Sequence, residues 1–239
     1  MRADGGPPIP AQRIYPILYN QISVPSLKPI TWLGDSLARL RTAPKDIRSN
    51  AGYQLGLVQR GETPADFKPM PDVGAGVMEI RLHGDNEFRV FYVARFEEAV
   101  YVLHSFVKKT RATRKIDIDL GKAIRRDAVS EERTHMKSIN GTTVTKGSGD
   151  VFADLGFSPA ESRNLRIRSE MMSALRSFIE KEALTQADAA RRLNVSQPRI
   201  SDLTRGKISR FSLDTLVNML TDAGLEVDFR IKPSRRRVA

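Results

Sequence analysis

Hydrophobic residues recur with two different periods along the first half of this chain. Over 36–57 they return every three or four residues, which is the spacing of one helix face, and Pro44 divides the stretch into two helices. Beyond a loop at 62–76 the period falls to two, which is the spacing of a β-strand with one buried face. The alternation predicts an antiparallel meander with one open face. Its strands are expected over 78–82, 88–93 and 99–107, with a further helix over 116–129.

The second half keeps the helical period almost to its end. Ser158-Pro159-Ala160-Glu161 has the sequence of a capped helix start, because serine and glutamate side chains can accept from free backbone N–H groups there. A longer helix is predicted over 169–182, and 184–207 then predicts two short helices joined by a tight turn. A last helix follows Ser212. Strict alternation over 225–232 predicts a single strand.

The two helices over 184–207 have the pattern of a helix-turn-helix that reads duplex DNA. Thr185 and Ser196 are placed to cap them. Such a unit lays its second helix in the major groove, where glutamine can pair with adenine and arginine with guanine. A helical hairpin that only packs is the alternative. The predicted DNA-binding residues are Gln186, Gln197 and Arg199 for base edges, Arg205 and Lys207 for phosphates, and Ser196 and Ser201.

The charge balance indicates a polyanionic partner. The 239 residues carry a net charge of +11, with a pI near 10.1, and both halves contribute to the excess. A basic surface that is only solvated is the alternative for either half. The chain has no cysteine, which excludes disulfides and favours the cytoplasm, and no apolar run approaches the roughly 20 residues that span a membrane. Because its three histidines are widely separated, we expect no metal and no cofactor.

Basic residues gather on the open face of the meander and in the loop that follows it. RNA suits such a surface, because its own 2′-OH can attack the adjacent phosphate. The reaction needs a base for the hydroxyl, cations for the charge that develops on phosphorus, and an acid for the leaving oxygen. His83 or His104 can move protons near neutral pH. The residues expected to bind RNA are His83, Arg111 and Arg114, with Arg81, Arg89, Lys108, Lys109 and Lys115 beside them.

Six segments of the first half resemble a HigB-type toxin of the RelE superfamily, in its phage-derived branch. They are Lys28-Pro-Ile-Thr-Trp-Leu-Gly, Ala51-Gly-Tyr, Phe67-Lys-Pro-Met, Val77-Met-Glu-Ile-Arg, Phe88-Arg-Val-Phe-Tyr-Val and Tyr101-Val-Leu-His-Ser-Phe-Val-Lys-Lys-Thr. Members of that family are ribosome-dependent endoribonucleases that cut mRNA during translation. The resemblance implies basic catalytic positions at Arg81, Arg89, Lys108 and Lys109, and it matches His104 to a family histidine.

The resemblance leaves the general base open. Family members often carry a tyrosine or a histidine near the end of the domain, where this chain offers Lys115. His104 has a structural alternative, because a residue between Val102 and Phe106 on a strand is equally expected to be a hydrogen-bonded core residue. For Arg81 and Arg89 the alternative is a structural salt bridge.

The second half, over about 136–233, resembles a HigA-type antitoxin, including the terminal strand. The predicted fold class is therefore α+β, with a RelE-like antiparallel sheet and packing helices followed by an all-α helix-turn-helix domain with a C-terminal strand. The predicted parts are a disordered leader (1–27), a toxin domain (28–135), a polar linker (136–157), the helix-turn-helix domain (158–233) and a basic tail (234–239).

These features predict a fused toxin–antitoxin protein. The first domain would cleave mRNA on the ribosome, and the second would neutralise it. The second domain would also bind operator DNA as a homodimer through its terminal strand and repress its own operon. Met136 lies where a separate antitoxin would begin, so two adjacent reading frames are the alternative to a fusion. The functional alternatives are a DNA-binding repressor with an inert first domain, and a nucleic-acid binder that only docks on ribosomes.

Overall fold

The first half of the chain forms a β-sheet with helices on both faces. A computed structural model describes residues 27–109, 113, 115–130, 138–139 and 142–228. In these residues the strands lie side by side in the order β2-β3-β4-β5-β1-β7-β6. They are β1 (Ile30–Leu33), β2 (Phe67–Pro69), β3 (Val77–Leu82), β4 (Phe88–Val93), β5 (Val100–Val107), β6 (Ser138–Ile139) and β7 (Thr142–Lys146).

The predicted meander is confirmed as β3, β4 and β5, which pair antiparallel. The helices α1 (Ser36–Arg41) and α2 (Lys45–Gln59) confirm the prediction on either side of Pro44, and α3 (Lys115–Ser130) confirms the helix after β5. The sheet is mixed rather than purely antiparallel, because β1 pairs with β5 in parallel. A parallel pair needs a long crossover, and α1, α2 and the β2–β4 strands supply it.

Both faces of the sheet are covered, which corrects the expectation of an open face. On one face Ile80, Leu82 and Val90 share a core with α2, whereas on the other Phe91 and Leu103 share a second core with Ile124 of α3. The side chains that solvent still reaches on the α3 face of β3 and β4 lie towards the hairpin that joins these strands. Arg81 and His83 lie at this end of the sheet.

The second half is helical. Its elements are α4 (Val151–Asp154), α5 (Pro159–Lys181), α6 (Gln186–Arg192), α7 (Gln197–Thr204), a 3-10 turn (Ile208–Arg210) and α8 (Leu213–Asp222). The helix-turn-helix is confirmed as α6 and α7, and the two predicted helices before it are one continuous helix, α5. None of the helices in the described ranges combines the length and the apolar character that crossing a membrane requires.

The helix starts follow the predicted capping residues with one exception. Ser158 and Glu161 form a reciprocal capping box, and the Thr185 hydroxyl accepts from the N–H of Asp188. Ser196 occupies the cap position of α7, but its side chain makes no capping hydrogen bond. The Ser196 hydroxyl is therefore not engaged in capping.

Three predicted features near the chain ends fall partly or wholly outside the described residues. Of the predicted strand over 225–232, residues 225–228 form neither helix nor strand, and the remainder lies outside. The leader up to residue 26 and the basic tail over 234–239 also lie outside. The dimer that was predicted from the strand stays a prediction.

The predicted polar linker contributes structure to the sheet. β7 lies within it and pairs antiparallel with β1, with Trp32 opposite Thr145. Asp154 at the end of α4 then accepts hydrogen bonds from the Trp32 indole (3.1 Å) and from the backbone N–H of Ser148 (2.9 Å). The alternation in 142–146 is short and largely polar, so the sequence alone did not predict a strand there.

The two halves share one hydrophobic core, because α2 lies between the sheet and the helices of the second half. Leu55 and Leu57 of α2 belong to the same buried cluster as Phe152 of α4 and Met172 of α5. Gly52 makes the approach possible, since a Cβ at that position would lie 2.5 Å from the Phe152 ring. The second half therefore covers the α2 side of the first.

Candidate nucleic-acid interfaces

Arg81 and Arg89 face each other across β3 and β4 as direct register partners. Strand alternation places them on the same face as Phe91, which is the face of α3. Both approach one carboxylate, since the Oε1 atom of Glu79 lies 3.4 Å from the Arg81 Nε and 3.6 Å from the Arg89 Nε. Glu79 and Arg89 are buried, whereas Arg81 is about one third exposed. A buried carboxylate thus holds two guanidinium groups side by side.

The β3–β4 hairpin adds His83 to this pair. The His83 Nε2 lies 2.6 Å from Asp66 and its Nδ1 lies 2.9 Å from Glu87. Partial burial alone would lower the pKa of His83, but hydrogen bonds to Asp66 and Glu87 outweigh it and raise the pKa above the ordinary value. His83 is therefore favoured as an imidazolium.

Glu87 and Asp66 tie the cations of the hairpin together. Glu87 accepts from the Arg89 guanidinium at 2.8 Å, and Asp66 lies 3.4 Å from the Arg81 guanidinium. Partial burial would raise the pKa of Glu87, but hydrogen bonds from His83 and Arg89 outweigh it and lower the pKa. We call Asp66, Glu79, Arg81, His83, Glu87 and Arg89 the hairpin cluster.

The hairpin cluster is balanced in charge, because its three carboxylates face two arginines and one histidine. This differs from the purely cationic surface that the sequence suggested. Asp66 comes from the loop before β2, so its spacing in sequence gives no signal, but Glu79 alternates with Arg81 and so belonged to the same predicted face. Phosphate binding at this cluster would have to compete with the carboxylates for the guanidinium groups.

Of the three predicted lysines, Lys108 and Lys109 directly follow β5, and Lys115 begins α3. The N–H of Lys108 donates to the carbonyl of Glu87 at 2.7 Å, so the chain leaving β5 runs beside the hairpin. Lys108 is partly buried and Lys109 is exposed. Lys115 is exposed at the start of α3, and Arg111 and Arg114 lie outside the described residues.

His104 lies in the interior of the sheet domain rather than at its surface. It is fully buried, stacks on Phe106, and its Nε2 lies 3.1 Å from Asp117 of α3. Burial lowers the pKa of His104 below the ordinary value, although Asp117 opposes the shift. The position matches the structural alternative, in which His104 is a hydrogen-bonded core residue that fastens α3 to β5.

The helix-turn-helix presents most of its predicted residues to solvent. Gln186, Ser196 and Gln197 are exposed, whereas Arg199 is partly buried with its guanidinium 5.0 Å above the Phe211 ring. Ser201 is partly buried. The exposed residues at the start of α7 are those that a groove-reading helix uses first.

The end of α7 contacts the first half of the chain. Lys207 pairs with Asp202 at 2.8 Å, and the exposed Arg205 offers its backbone carbonyl to the Gln54 amide of α2 at 3.3 Å. Gly206 follows with a φ of +72°, and a Cβ there would lie 2.3 Å from the Gln54 amide nitrogen. The segment predicted to contact phosphates is therefore seated on α2.

Comparison with protein families identifies a domain in each half. Residues 38–126 match a family model described as a phage derived protein Gp49-like, and residues 151–232 match one described as a helix-turn-helix domain. No curated protein matches the chain. The first match contains Arg81, Arg89 and Lys108, and the second contains all the predicted DNA-binding residues.

Proposed function

We propose that this chain, which joins a Gp49-like toxin-family domain to a C-terminal helix-turn-helix domain, is a fused HigB/HigA-type toxin–antitoxin protein. The first domain cleaves mRNA on the ribosome by attack of the RNA 2′-OH. The second neutralises that activity and binds operator DNA. The proposal rests on one observation. Arg81 and Arg89 are register partners across β3 and β4, in the same chain as helix α7, which exposes Gln197 at its start.

The arginine pair supports the nuclease half of the proposal. Charge develops on the phosphorane oxygens during 2′-OH attack, and guanidinium groups held in place stabilise it. Glu79 supplies the anchoring, since it is buried and lies near both side chains. Lys108, beside the hairpin, adds positive charge where a phosphate chain would cross the end of the sheet.

The position of the second domain suggests how neutralisation works. The shared core places α4 and α5 against α2, on the sheet face opposite Arg81 and Arg89. In our proposal the second domain therefore blocks docking on the ribosome by its bulk, and it leaves the hairpin cluster accessible to a short RNA. The tether also keeps the neutralising domain at high local concentration.

Operator binding would use the exposed start of α7. Gln197 and Arg199 meet base edges, and Gln186 meets a base edge from α6. Two copies would pair through residues 225–232 and present two recognition helices to a symmetric operator. Sedimentation measures the molecular mass of the full chain at micromolar concentration. The mass of a monomer would rule out the proposed dimer.

The second candidate is a DNA-binding repressor whose Gp49-like domain is inert. The charge balance of the hairpin cluster favours it, because each cation already has a carboxylate partner. Under this alternative the first domain serves as a folded support for α7.

Expression of residues 1–149 in growing cells separates the two candidates. This segment keeps β7 on β1 and removes the helices that cover α2. The nuclease proposal expects arrested growth and cleaved mRNA, and it expects neither from the same segment with Arg81→Ala and Arg89→Ala. Healthy cells that contain soluble, folded 1–149 with intact mRNA favour the repressor.

A further inference from the structure

We propose that Glu87 and His83, both from the β3–β4 hairpin, are the general base and the general acid of RNA cleavage at the hairpin cluster. The inference rests on the proposed nuclease function and assigns the two proton-transfer roles that the arginines cannot fill. It names short single-stranded RNA as the ligand of this site.

The contacts of His83 favour its protonated form. Both ring nitrogens lie within hydrogen-bond distance of a carboxylate, at 2.6 Å from Asp66 and 2.9 Å from Glu87. Since an ionised carboxylate only accepts, these two contacts favour the imidazolium, which donates from both nitrogens. The His83 side chain is 51% exposed, which leaves it within reach of a bound RNA.

Glu87 lies between His83 and the arginine pair. One carboxylate oxygen faces His83 and the other accepts from Arg89 at 2.8 Å. Glu87 is 42% exposed, whereas Glu79 is fully buried and cannot touch a substrate without rearrangement. Of the two exposed carboxylates of the cluster, Glu87 makes the closer arginine contact, at 2.8 Å against 3.4 Å for Asp66, so we assign the base to Glu87.

The step balances in atoms and charge. The 2′-oxygen forms its bond to phosphorus as its proton passes to Glu87, and the bond from phosphorus to the 5′-oxygen breaks as that oxygen takes a proton from His83. The products are a 2′,3′-cyclic phosphate and a 5′-hydroxyl. Arg81, whose side chain is 34% exposed, is the guanidinium of the pair that can meet the negative charge on the phosphorane, whereas the buried Arg89 holds Glu87 in place. Hydrolysis of the cyclic phosphate by water would reverse both proton transfers and restore the two groups.

The surrounding charged groups fit these roles. Asp66 holds the Nε2 side of His83 and also contacts Arg81, so it is a positioning residue that orients the imidazolium. Arg81 and Arg89 face the cluster from β3 and β4. His104 is buried against Asp117 and takes no part.

The first experiment needs no activity. The full chain, labelled in its histidine rings, is titrated by NMR, with His83→Asn to assign the His83 signals among three histidines. We expect His83 to titrate above the ordinary histidine value, with its two ring nitrogens protonated near neutral pH, and Glu87→Gln to lower that titration. A His83 that is neutral at pH 7, or that Glu87→Gln leaves unchanged, overturns the inference.

The second experiment measures cleavage of a short RNA oligonucleotide by the full chain, with the 2′,3′-cyclic phosphate as the product detected. Glu87→Gln and His83→Asn should each lower the single-turnover rate by roughly 10²–10⁴-fold, which is the usual contribution of general acid–base catalysis. Glu87→Gln should remove the acidic limb of the pH–rate profile, and Glu87→Asp should restore part of the rate. Glu97→Gln, an exposed carboxylate on the next turn, is the matched control and should leave the rate unchanged.

The outcomes separate this inference from the proposed function. Cleavage that disappears with Arg81→Ala plus Arg89→Ala but persists in Glu87→Gln and His83→Asn overturns the inference and leaves the nuclease proposal standing. A full chain that does not cleave short RNA at all, with or without these substitutions, overturns the inference, whereas the proposed cleavage of mRNA on the ribosome is decided separately by expression of residues 1–149 in growing cells.

Discussion

The Gln54 side chain joins the two halves of the protein, and its replacement gives the sharpest test of their packing. Gln54 is buried on α2, accepts from the N–H of Ala65 at 2.8 Å and donates to the carbonyl of Arg205 at 3.3 Å. It also donates to the Asn50 side chain at 3.1 Å. One amide therefore contacts both the loop before Asp66 and the end of α7.

Gln54→Leu keeps the approximate volume and removes these hydrogen bonds. A buried polar group that loses its hydrogen-bond partner lowers the free energy of unfolding by about 1–3 kcal/mol. Ala65 is only partly buried and the leucine adds apolar contact, so both reduce the loss. We expect the free energy of unfolding to fall by about 2–3 kcal/mol, and Tm to fall by about 4–12 °C for a chain of this size.

Urea denaturation followed by circular dichroism measures the change, and hydrogen exchange at the Ala65 amide localises it. Gln59→Leu is the matched control, because Gln59 is also buried on α2 but makes its hydrogen bond to the carbonyl of Lys28, within the first half, at 2.8 Å. It should cost about 1 kcal/mol. If Gln54→Leu costs no more than Gln59→Leu and the Ala65 amide exchanges as before, the amide does not join the halves as we reason.

Three further predictions concern the interface, the DNA reader and the histidines. Gly206→Ala should destabilise the protein by about 1–3 kcal/mol. Gly206 adopts a left-handed φ of +72°, and an added Cβ would lie 2.3 Å from the Gln54 amide nitrogen. A thermal melt unchanged from that of the parent protein would contradict this prediction. Arg199→Ala should weaken operator binding by roughly 1–3 kcal/mol and relax specificity at one base pair. Fluorescence anisotropy measures the affinity for a set of operators that differ by single bases. An equal loss of affinity on all sequences would make Arg199 a phosphate contact instead. His83 and His104 should affect stability with opposite signs of pH dependence, measured by urea denaturation from pH 5 to pH 9 with an Asn substitution at each position. The raised pKa of His83 gives stability that is present below about pH 6.5 and is lost as the pH rises through its folded value, so His83→Asn should remove part of a decline on the alkaline side. The lowered pKa of His104 gives stability that is present above about pH 6.5 and is lost as the pH falls towards its folded value, so His104→Asn should flatten the decline on the acidic side. Identical pH profiles for the two variants would refute the assignment.

Local patterns in the sequence predicted the regular elements well, because those elements depend on residues close together in the chain. Period-two alternation gave β3 to β5, and the capping residues Ser158 and Thr185 marked helix starts that the structure confirms. The same alternation put Arg81 and Arg89 on one face, and their register now makes them direct partners. β1 and β7 were not predicted, because a short strand is defined by its neighbours rather than by its own period.

The candidate site was predicted only in part, because its partners come from distant segments. Asp66 reaches Arg81 and His83 from a loop whose residues show no pattern that would place them there. His104 has the same sequence context whether it is buried or exposed, and only the packing of α3 across β5 decides between the two.

The order of residues was enough to determine the class of the two halves, the helix-turn-helix and the basic character of the chain, since periodicity, capping and net charge are properties of local sequence. The tertiary structure decided that α2 is shared between the halves, that carboxylates neutralise the arginine pair, and that the second domain lies on the far face of the sheet. These outcomes follow from burial. The apolar surface of α2 is buried against the helices whose shape fits it, because removing apolar surface from water is favourable. A buried guanidinium or carboxylate needs a charged or hydrogen-bonding partner, and the fold supplies that partner from distant segments.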